Sequence, residues 1–297
     1  MTKDLSSLGW RQVSWVAFDT ETSGRYPVES EICEIAAVKW TATAGAGVKR
    51  ETFSALVKPS RTMSEEVIRI HGITNEMVAS APPIKDVLPG FVEFIRGSVL
   101  LAHHAQFDLG FVAAALEDAG LSLPPEPTVC TSLLAQGNVP ETPNHRLQTL
   151  VPFFGINPGQ AHRALDDANA CLEVAMNIFM RLQKQNDEMG GEAYELTVKD
   201  IAAKQLRRTK LDLGPLYFQR FSLDEIKKNA DIARFIEAAK LRRKVEMVYA
   251  GGSRPGKPRT VNPIGVIRQL DGDALVALEE GETVAKRYWL KDVRAIS

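Results

Sequence analysis

Apolar runs separated by polar turns predict a mixed α/β fold for the first part of the chain. Three early segments have the apolar or alternating pattern typical of strands: residues 13–18, 32–40 and 52–57. Three later segments have apolar residues at helical spacing: residues 87–95, 109–119 and 164–183. A short apolar run at residues 98–102 is typical of a buried strand. The pattern therefore predicts three consecutive strands, followed by helices and at least one further strand.

The pattern changes after a polar, glycine-containing stretch at residues 186–191. Residues 198–240 look helical and basic. Short strand patterns separated by Gly-rich or acidic turns then follow: residues 245–249, 261–268, 274–279 and 284–290. We therefore expect a first domain at 1–182, a basic helical linker at 183–231 and a small antiparallel β domain at 232–297.

The composition is that of a globular protein and excludes several other classes. The 297 residues are 44% hydrophobic and 25% charged, which argues against disordered, collagen-like and coiled-coil chains. Three cysteines without paired spacing argue against a disulfide framework and against a zinc site. The N-terminus lacks the apolar run of a signal peptide and no apolar stretch has membrane-spanning length, so we expect a cytoplasmic protein without membrane contact.

The net charge of −1 conceals an asymmetry between the two parts of the chain. Residues 1–180 carry 13 basic and 20 acidic side chains, whereas residues 181–297 carry 23 and 17. An acidic part that holds metal ions and a basic part that holds phosphates would explain this distribution. Two ordinary solvated surfaces are the alternative.

Two acidic side chains stand at the end of the first predicted strand. Asp19 and Glu21 are two residues apart, so they point to the same face of a strand. Carboxylates on one face repel each other unless a cation lies between them. The alternative is a polar strand end that enters a turn.

Asp108 follows the predicted strand at 98–102 and precedes a helix that we expect to begin near Leu109. An aspartate at this place is sufficiently explained as the N-cap of that helix. Taken alone, Asp108 is therefore better interpreted as a cap than as a functional residue.

His162, Asp166 and Asp167 open the last predicted helix of the first domain. Helix geometry places Asp167 at the flank of the apolar stripe, where it can face a cleft, and turns Asp166 toward water. A helical His162 would lie on the opposite flank, so we expect His162 in the loop before the helix if it meets Asp167. Taken singly, each is most often a surface group.

The order and spacing of these residues resemble the DEDDh family of 3′–5′ exonucleases, the superfamily of the proofreading subunit of bacterial replicative polymerases. The resemblance covers about residues 13–182, with matching intervening segments at 70–74, 81–82 and 147–150. It implies a ribonuclease H-like fold, in which a mixed five-stranded sheet is flanked by helices.

The resemblance also implies a mechanism that uses two divalent cations. The implied metal ligands are four carboxylates, with Asp19 bridging both ions: Asp19, Glu21, Asp108 and Asp167. His162 is the implied general base, and oxygen ligands suit Mg²⁺ or Mn²⁺. Four further residues match positions near the terminal nucleotide: Thr22, His71, His104 and Phe107.

Two positions depart from the family pattern. This chain has His103-His104 where the family usually has His-Asn, which leaves the nucleotide contact at position 104 open. It has Cys130-Thr131 where the family often has Asp-Thr, which should alter only the support around the site.

Residues from about 232 onward resemble a WYL domain, a small β-barrel of the Sm/SH3-like kind. The resemblance rests on segments 235–249, 259–265 and 287–292, and it implies that Arg259 and Arg287 face nucleic acid or a nucleotide. The aromatic tripeptide that names the module is missing, which leaves a ligand pocket open, and a structural barrel with surface arginines is the alternative.

A basic run before this region could follow a phosphate backbone, although such runs are more often solvated helix faces. Its candidate phosphate contacts are Lys204, Arg207, Arg208 and Lys210.

Together these features predict a metal-dependent 3′–5′ exonuclease with an appended nucleic-acid-binding or ligand-sensing module. The expected partner is a nucleic acid 3′ end, single-stranded DNA in the first place, and a small nucleotide is the expected ligand of the WYL-like domain. One alternative is a WYL-type regulator whose nuclease-like domain only binds, which the complete catalytic set argues against. A second is a polymerase-tethered proofreading subunit, for which the chain shows no partner-binding tail.

Overall fold

The computed structural model divides the chain into two compact units, Met1–Ser23 with Glu31–Phe218 and Gly24–Ser30 with Gln219–Ser297. The residues that the structure describes are 4–25, 27, 30–43, 45, 47–121, 128–157, 159, 162–188, 194–205, 230–269, 272–282 and 285–295.

The first unit is built on a mixed five-stranded sheet in the order β3-β2-β1-β4-β5. Its strands are β1 (Ser14–Thr22), β2 (Ile32–Thr43), β3 (Gly47–Leu56), β4 (Val99–Ala102) and β5 (Thr128–Cys130). The first three pair antiparallel, whereas β4 is parallel to both β1 and β5. This arrangement confirms the predicted ribonuclease H-like sheet.

Helices flank this sheet on both faces. The described helices of the unit are α1 (Glu65–His71), α2 (Asn75–Val78), α3 (Ile84–Ile95), α4 (Ala105–Asp118), α5 (Thr131–Asn138), α6 (Leu147–Phe153), α7 (Ala164–Glu188) and α8 (Val198–Ala203). Because side chains alternate along β1, Trp15 and Ala17 pack in the core under α7, whereas Val16 and Phe18 pack under α3 and α4. The strand is thus buried on both faces and holds its polar end at a fixed position.

Helix α4 begins earlier than the sequence pattern predicts. Its first residue is Ala105, and His104 at the N-cap has a left-handed conformation with φ of 62°. The expected start near Leu109 was therefore wrong, and so was the interpretation of Asp108 as an N-cap. The apolar pattern does not mark this first turn because it contains Gln106 and Asp108.

Residues 194–205 belong to the first unit and pack in its core. Leu196, Val198 and Ile201 are buried in the same core as α7, and the Trp10 N–H donates to the Leu196 carbonyl at 2.9 Å. The domain boundaries at 182 and 231 stay a prediction. Residues 194–205 pack in the same core as α7, which lies before them in the chain.

The second unit contains an antiparallel five-stranded sheet in the order β10-β6-β7-β8-β9. Its described elements are α9 (Ala230–Leu241), β6 (Val245–Tyr249), β7 (Pro258–Gln269), β8 (Gly272–Glu279), β9 (Lys286–Trp289) and β10 (Val293–Ala295). Phe235 of α9 packs with Met247, Val261 and Leu275 in its core. The expectation of a small β domain is confirmed.

The predicted helical stretch at 198–240 is described only at its two ends. Helix α8 ends at Ala203 and α9 begins at Ala230, and residues 206–229 lie outside the described part of the chain. Among the helices that are described, none combines the length and the apolar character needed to cross a membrane.

Candidate active site

The polar end of β1 presents Asp19 and Glu21 on one face of the sheet. Both side chains are partly exposed, whereas Thr20 and Thr22 between and after them are buried. Strand alternation produces this division, because residues two apart share a face. The two carboxylates therefore face a common space at the end of the strand.

Asp108 joins this end of β1 from helix α4. Its side chain is buried in the first turns of that helix. The carboxylate accepts hydrogen bonds from the Thr20 hydroxyl at 2.8 Å and from the Thr20 backbone N–H at 3.0 Å. Helix α4 therefore holds Asp108 beside Asp19 rather than in a capping position.

His162 and Asp167 meet at the start of α7. His162 lies in the loop two residues before the helix, with φ of 62°, and its backbone N–H donates to Oδ2 of Asp167 at 2.8 Å. One ligand atom each from Glu21, His162 and Asp167 lie within 4.8 Å of one another. The structure thus brings the five residues singled out from the sequence to one end of the sheet.

Asp166 does not simply face water. It is partly buried, and Gly159 approaches it so closely that a Cβ at that position would lie 2.7 Å from the Asp166 carboxyl carbon. The glycine has φ of 58°, a conformation that favours glycine, and it lies against the start of α7. Helix geometry alone predicted that Asp166 faces water and did not anticipate the contact with Gly159.

Burial and mutual repulsion raise the pKa values of the carboxyl groups. The pKa of Asp19 lies well above its ordinary value because burial, together with the charges of Asp108, Glu21 and Asp167, disfavours ionisation. Burial raises the pKa of Glu21 to about 8 and that of Asp108 to about 7. Burial also raises the pKa of Asp167. Without cations, Glu21 would largely retain its proton at neutral pH.

The donor set fits a hard divalent cation. Carboxylate oxygens dominate it, as Mg²⁺ and Mn²⁺ prefer, and the buried Cys171 is not among the donors of the described group. A bound cation would compensate the negative charges of these carboxylates and so favour their ionised forms. The residues present are therefore suited to hold divalent metal ions.

Glu34 is a residue of this region that the sequence analysis missed. It lies on β2 directly opposite Glu21 in the strand register and is only 2% exposed. Its carboxylate accepts hydrogen bonds from Arg163 Nη2 at 2.8 Å and from the Ala164 N–H at 2.9 Å. A lone acidic residue within the apolar run at 32–40 was the signal that could have identified it.

The four expected nucleotide contacts have different environments. Phe107 is 40% exposed and packs its ring against Phe111 at 5.0 Å between centroids, and His104 is exposed at the start of α4. Thr22 is buried, and His71 is buried with Nδ1 accepting from the Ile73 N–H at 3.0 Å. Burial also lowers the pKa of His71.

His103 and Thr131, the residues next to the two departures from the family pattern, lie in contact. Nδ1 of His103 lies 2.9 Å from the Thr131 hydroxyl, and its Nε2 lies 3.0 Å from the His145 carbonyl. Burial lowers the pKa of His103 to about 4, so the ring is neutral and donates from Nε2 to the carbonyl. His103 and Thr131 thus connect three segments of the chain as internal support.

The basic residues expected to contact phosphates fall into three groups. Lys204 and Arg287 are exposed. Arg259 is only 7% exposed, forms an ion pair with Glu279 at 3.7 Å and lies near the rings of Tyr249 and Tyr288. The remaining three lie outside the described residues: Arg207, Arg208 and Lys210.

Comparison with known proteins identifies relatives of the first unit. A family model described as RNase_T, exonuclease, matches residues 16–175. DNA polymerase III subunit epsilon of Treponema pallidum is 35% identical over 191 residues, which are 64% of this chain and 87% of that protein. A solved structure of exonuclease I shares the fold with a TM-score of 0.51 and 14% identity, over 92% of this chain and 56% of that one.

A longer relative matches more of the chain. A Mycobacterium tuberculosis protein, named as a bifunctional exonuclease/endonuclease, is 32% identical over 256 residues, which are 82% of this chain. This chain spans only 38% of that relative.

Proposed function

The chain belongs to the exonuclease family and is a nuclease of the DEDDh type, and from this premise we propose that it hydrolyses the terminal phosphodiester bond at 3′ ends. The reaction would release nucleotides one at a time and would use two divalent cations. The observation that carries the proposal is the convergence of four carboxylates and one histidine at one end of the sheet. These residues are Asp19, Glu21, Asp108, Asp167 and His162.

The four carboxylates would hold the cations. Asp19 is the proposed shared ligand, because the charges of Asp108, Glu21 and Asp167 all act on it. Exonucleases of the DEDDh type generally depend on divalent metal ions. When bound, such ions polarise the scissile phosphodiester and neutralise the charge that develops on its oxygens. Thr20 orients Asp108 and the His162 backbone N–H orients Asp167, so these two carboxylates have fixed positions.

His162 is the residue proposed to accept the proton of the attacking water. Its side chain is exposed at the rim of the carboxylate cluster, and its Nε2 lies 3.4 Å from the Gln148 side-chain nitrogen. A histidine is suited to this role because its ordinary pKa lies near neutral pH. The alternative role is that of a metal ligand, since its ring nitrogen lies within 4.8 Å of the Glu21 and Asp167 oxygens.

Single-stranded DNA is the proposed substrate. The Treponema pallidum relative is a DNA polymerase III subunit, which favours DNA over RNA. The exposed ring of Phe107 is available to stack on a base, a contact that single strands accept without regard to sequence. Thr22, His71 and His104 are proposed to surround the terminal nucleotide, the two buried residues by supporting its pocket.

The second unit is proposed to bind nucleic acid through its exposed basic residues. Arg287 is an exposed side chain of this unit that favours the role. We propose the same role for the basic run of the first unit, where Lys204 is exposed and Arg207, Arg208 and Lys210 lie outside the described residues. Arg259 is proposed to support the sheet from inside, because it is buried against Glu279. A WYL-like character and a small nucleotide ligand remain proposals for this unit.

Degradation of end-labelled oligonucleotides tests the proposed function. The protein would be incubated with 5′-labelled single-stranded DNA and with RNA of the same sequence, with Mg²⁺ or with Mn²⁺. We expect a ladder of shortened products that keep the 5′ label, formed faster from DNA. Bound but intact oligonucleotide would favour the binding-only regulator, and release of the labelled 5′ nucleotide would contradict the proposed direction.

A further inference from the structure

Glu34 is the buried carboxylate that touches the loop carrying His162. It is 2% exposed, and the described donors to it all come from residues 163 and 164. Arg163 contacts both oxygens, with Nη2 to Oε1 at 2.8 Å and Nε to Oε2 at 3.3 Å. The Ala164 N–H donates to Oε2 at 2.9 Å. A planar guanidinium that contacts both oxygens fixes orientation as well as distance.

The contact of Glu34 with residues 163 and 164 lies directly beside His162 in the chain. Ala164 is the first residue of α7, and His162 is two residues earlier. His162 has a left-handed backbone, which a non-glycine residue keeps only when its surroundings enforce it. On one side its N–H is bound by Asp167, and on the other Glu34 holds the next two residues.

The placement of α7 as a whole does not depend on Glu34. The buried stripe of Leu172, Ala175 and Phe179 packs the helix against the sheet, and this packing also places Asp167. Loss of the Glu34 contact would therefore release the loop at 162–163 rather than the helix.

We infer that Glu34 is a positioning residue, which through Arg163 and Ala164 holds the His162 loop in the orientation needed for hydrolysis. The inference rests on the proposed function and adds a residue outside the carboxylate cluster. Glu34 is not assigned as a fifth metal ligand, because its two oxygens already accept hydrogen bonds from Arg163 and Ala164.

A double-mutant cycle with His162 tests this inference. The variants are Glu34→Gln, which keeps the size of the side chain, and Arg163→Lys, which keeps the charge but loses the two-oxygen contact. Each is made in the wild-type chain and in His162→Ala. The matched control is Glu141→Gln, which breaks an exposed ion pair with Arg181 of α7, the helix that Ala164 begins.

We expect kcat to fall about 100-fold in Glu34→Gln and in Arg163→Lys, because a small misplacement of a reacting group costs about this factor. KM and the affinity for Mn²⁺, measured by titration calorimetry without nucleic acid, should change less than about threefold. In the His162→Ala chain, the same substitutions should lower kcat little further. The control should retain wild-type kcat.

Each other result has a definite meaning. Full kcat in both variants would overturn the inference, and equal losses with and without His162 would reduce Glu34 to a general structural role. A large loss of Mn²⁺ affinity in Glu34→Gln would assign it as a ligand instead. Wild-type protein that leaves nucleic acid intact would overturn the proposed function and this inference with it, whereas active wild type with unaffected variants would overturn this inference alone.

Discussion

The hydroxyl and the backbone N–H of Thr20 donate to the same carboxylate oxygen of Asp108, at 2.8 and 3.0 Å. These two bonds join the central strand to helix α4 at the point where the proposed metal ligands meet. They also favour the ionised carboxylate, and so oppose the burial that raises the pKa of Asp108 to about 7. Asp108 therefore ionises, as metal binding requires, at a lower pH than burial alone would allow.

Replacing Thr20 with valine should weaken metal binding. The Thr20→Val variant keeps the side-chain shape and loses the hydroxyl donor, and a hydrogen bond to a charged group contributes about 1.5–3 kcal/mol. We expect the Mn²⁺ concentration for half-maximal activity at pH 7 to rise about tenfold or more. Thr52→Val, at an exposed position of β3, is the control. An unchanged Mn²⁺ requirement would show that this bond does not prepare Asp108.

The metal-free protein should lose stability as the pH rises. Acids whose pKa is raised on folding stabilise the folded state below their unfolded pKa and lose this contribution as the pH rises through the folded value. For Glu21 this window runs from 4.5 to about 8, and for Asp108 from 3.8 to about 7. The free energy of unfolding in EDTA, measured with urea, should therefore fall between pH 5 and pH 8.

The same urea unfolding experiment distinguishes the carboxylates of the cluster from other acidic side chains. Asp19→Asn should be more stable than wild type at pH 8 in EDTA, because it removes one of the repelling charges. Asp118→Asn, at an exposed position of α4, should follow the wild-type curve. Saturating Mn²⁺ should remove most of the decline in wild type, and a flat metal-free curve would argue against the crowded carboxylates.

Two adjacent aspartates should differ sharply in importance. Asp167 accepts the His162 N–H and shares the cluster with Glu21, whereas Asp166 is not part of it. We expect Asp167→Asn to lower kcat more than about 100-fold and Asp166→Asn to change it less than about threefold. Rates with a single-stranded oligonucleotide at saturating Mn²⁺ provide the comparison. Similar losses in both variants would refute the assignment of Asp167 as the ligand.

Two arginines of the second unit should affect different properties. Arg287 is exposed, so Arg287→Gln should make the dependence of log affinity on log salt shallower by about 0.7 per lost phosphate contact on single strands. Arg259→Gln should leave this slope unchanged and lower the free energy of unfolding by about 1–3 kcal/mol, since it removes a buried side chain that donates to the Arg254 carbonyl and pairs with Glu279. Salt titrations of binding and urea unfolding measure the two effects, and a shallower slope in Arg259→Gln would contradict its internal role.

Local patterns predicted the elements whose apolar residues are regularly spaced. The strand at Val245–Tyr249 and the start of α7 at Ala164 agree with the apolar pattern, because continuous burial leaves a clear signal. The short helices α1 and α2 had no such stripe and are instead capped by Ser64 and Thr74.

Contacts between distant segments could not be predicted from spacing. Glu34 gains its meaning only from Arg163, which lies 129 residues later in the chain. Arg259 looks like a surface cation in the sequence, yet strand pairing brings it to Glu279 inside the second unit. Such pairs depend on the register between elements, which hydrophobic patterns alone do not specify.

If the carboxylate cluster carries out hydrolysis through divalent cations, activity must depend on both the metal and Asp19, and a metal titration of one variant pair measures both. Metal-free wild type and Asp19→Asn would each receive increasing Mn²⁺ in the presence of a 5′-labelled single-stranded oligonucleotide. We expect no shortening without metal, full shortening from the 3′ end in wild type at saturating Mn²⁺, and none in Asp19→Asn at any concentration. Shortening by wild type in EDTA, or by Asp19→Asn at the wild-type rate, would contradict it.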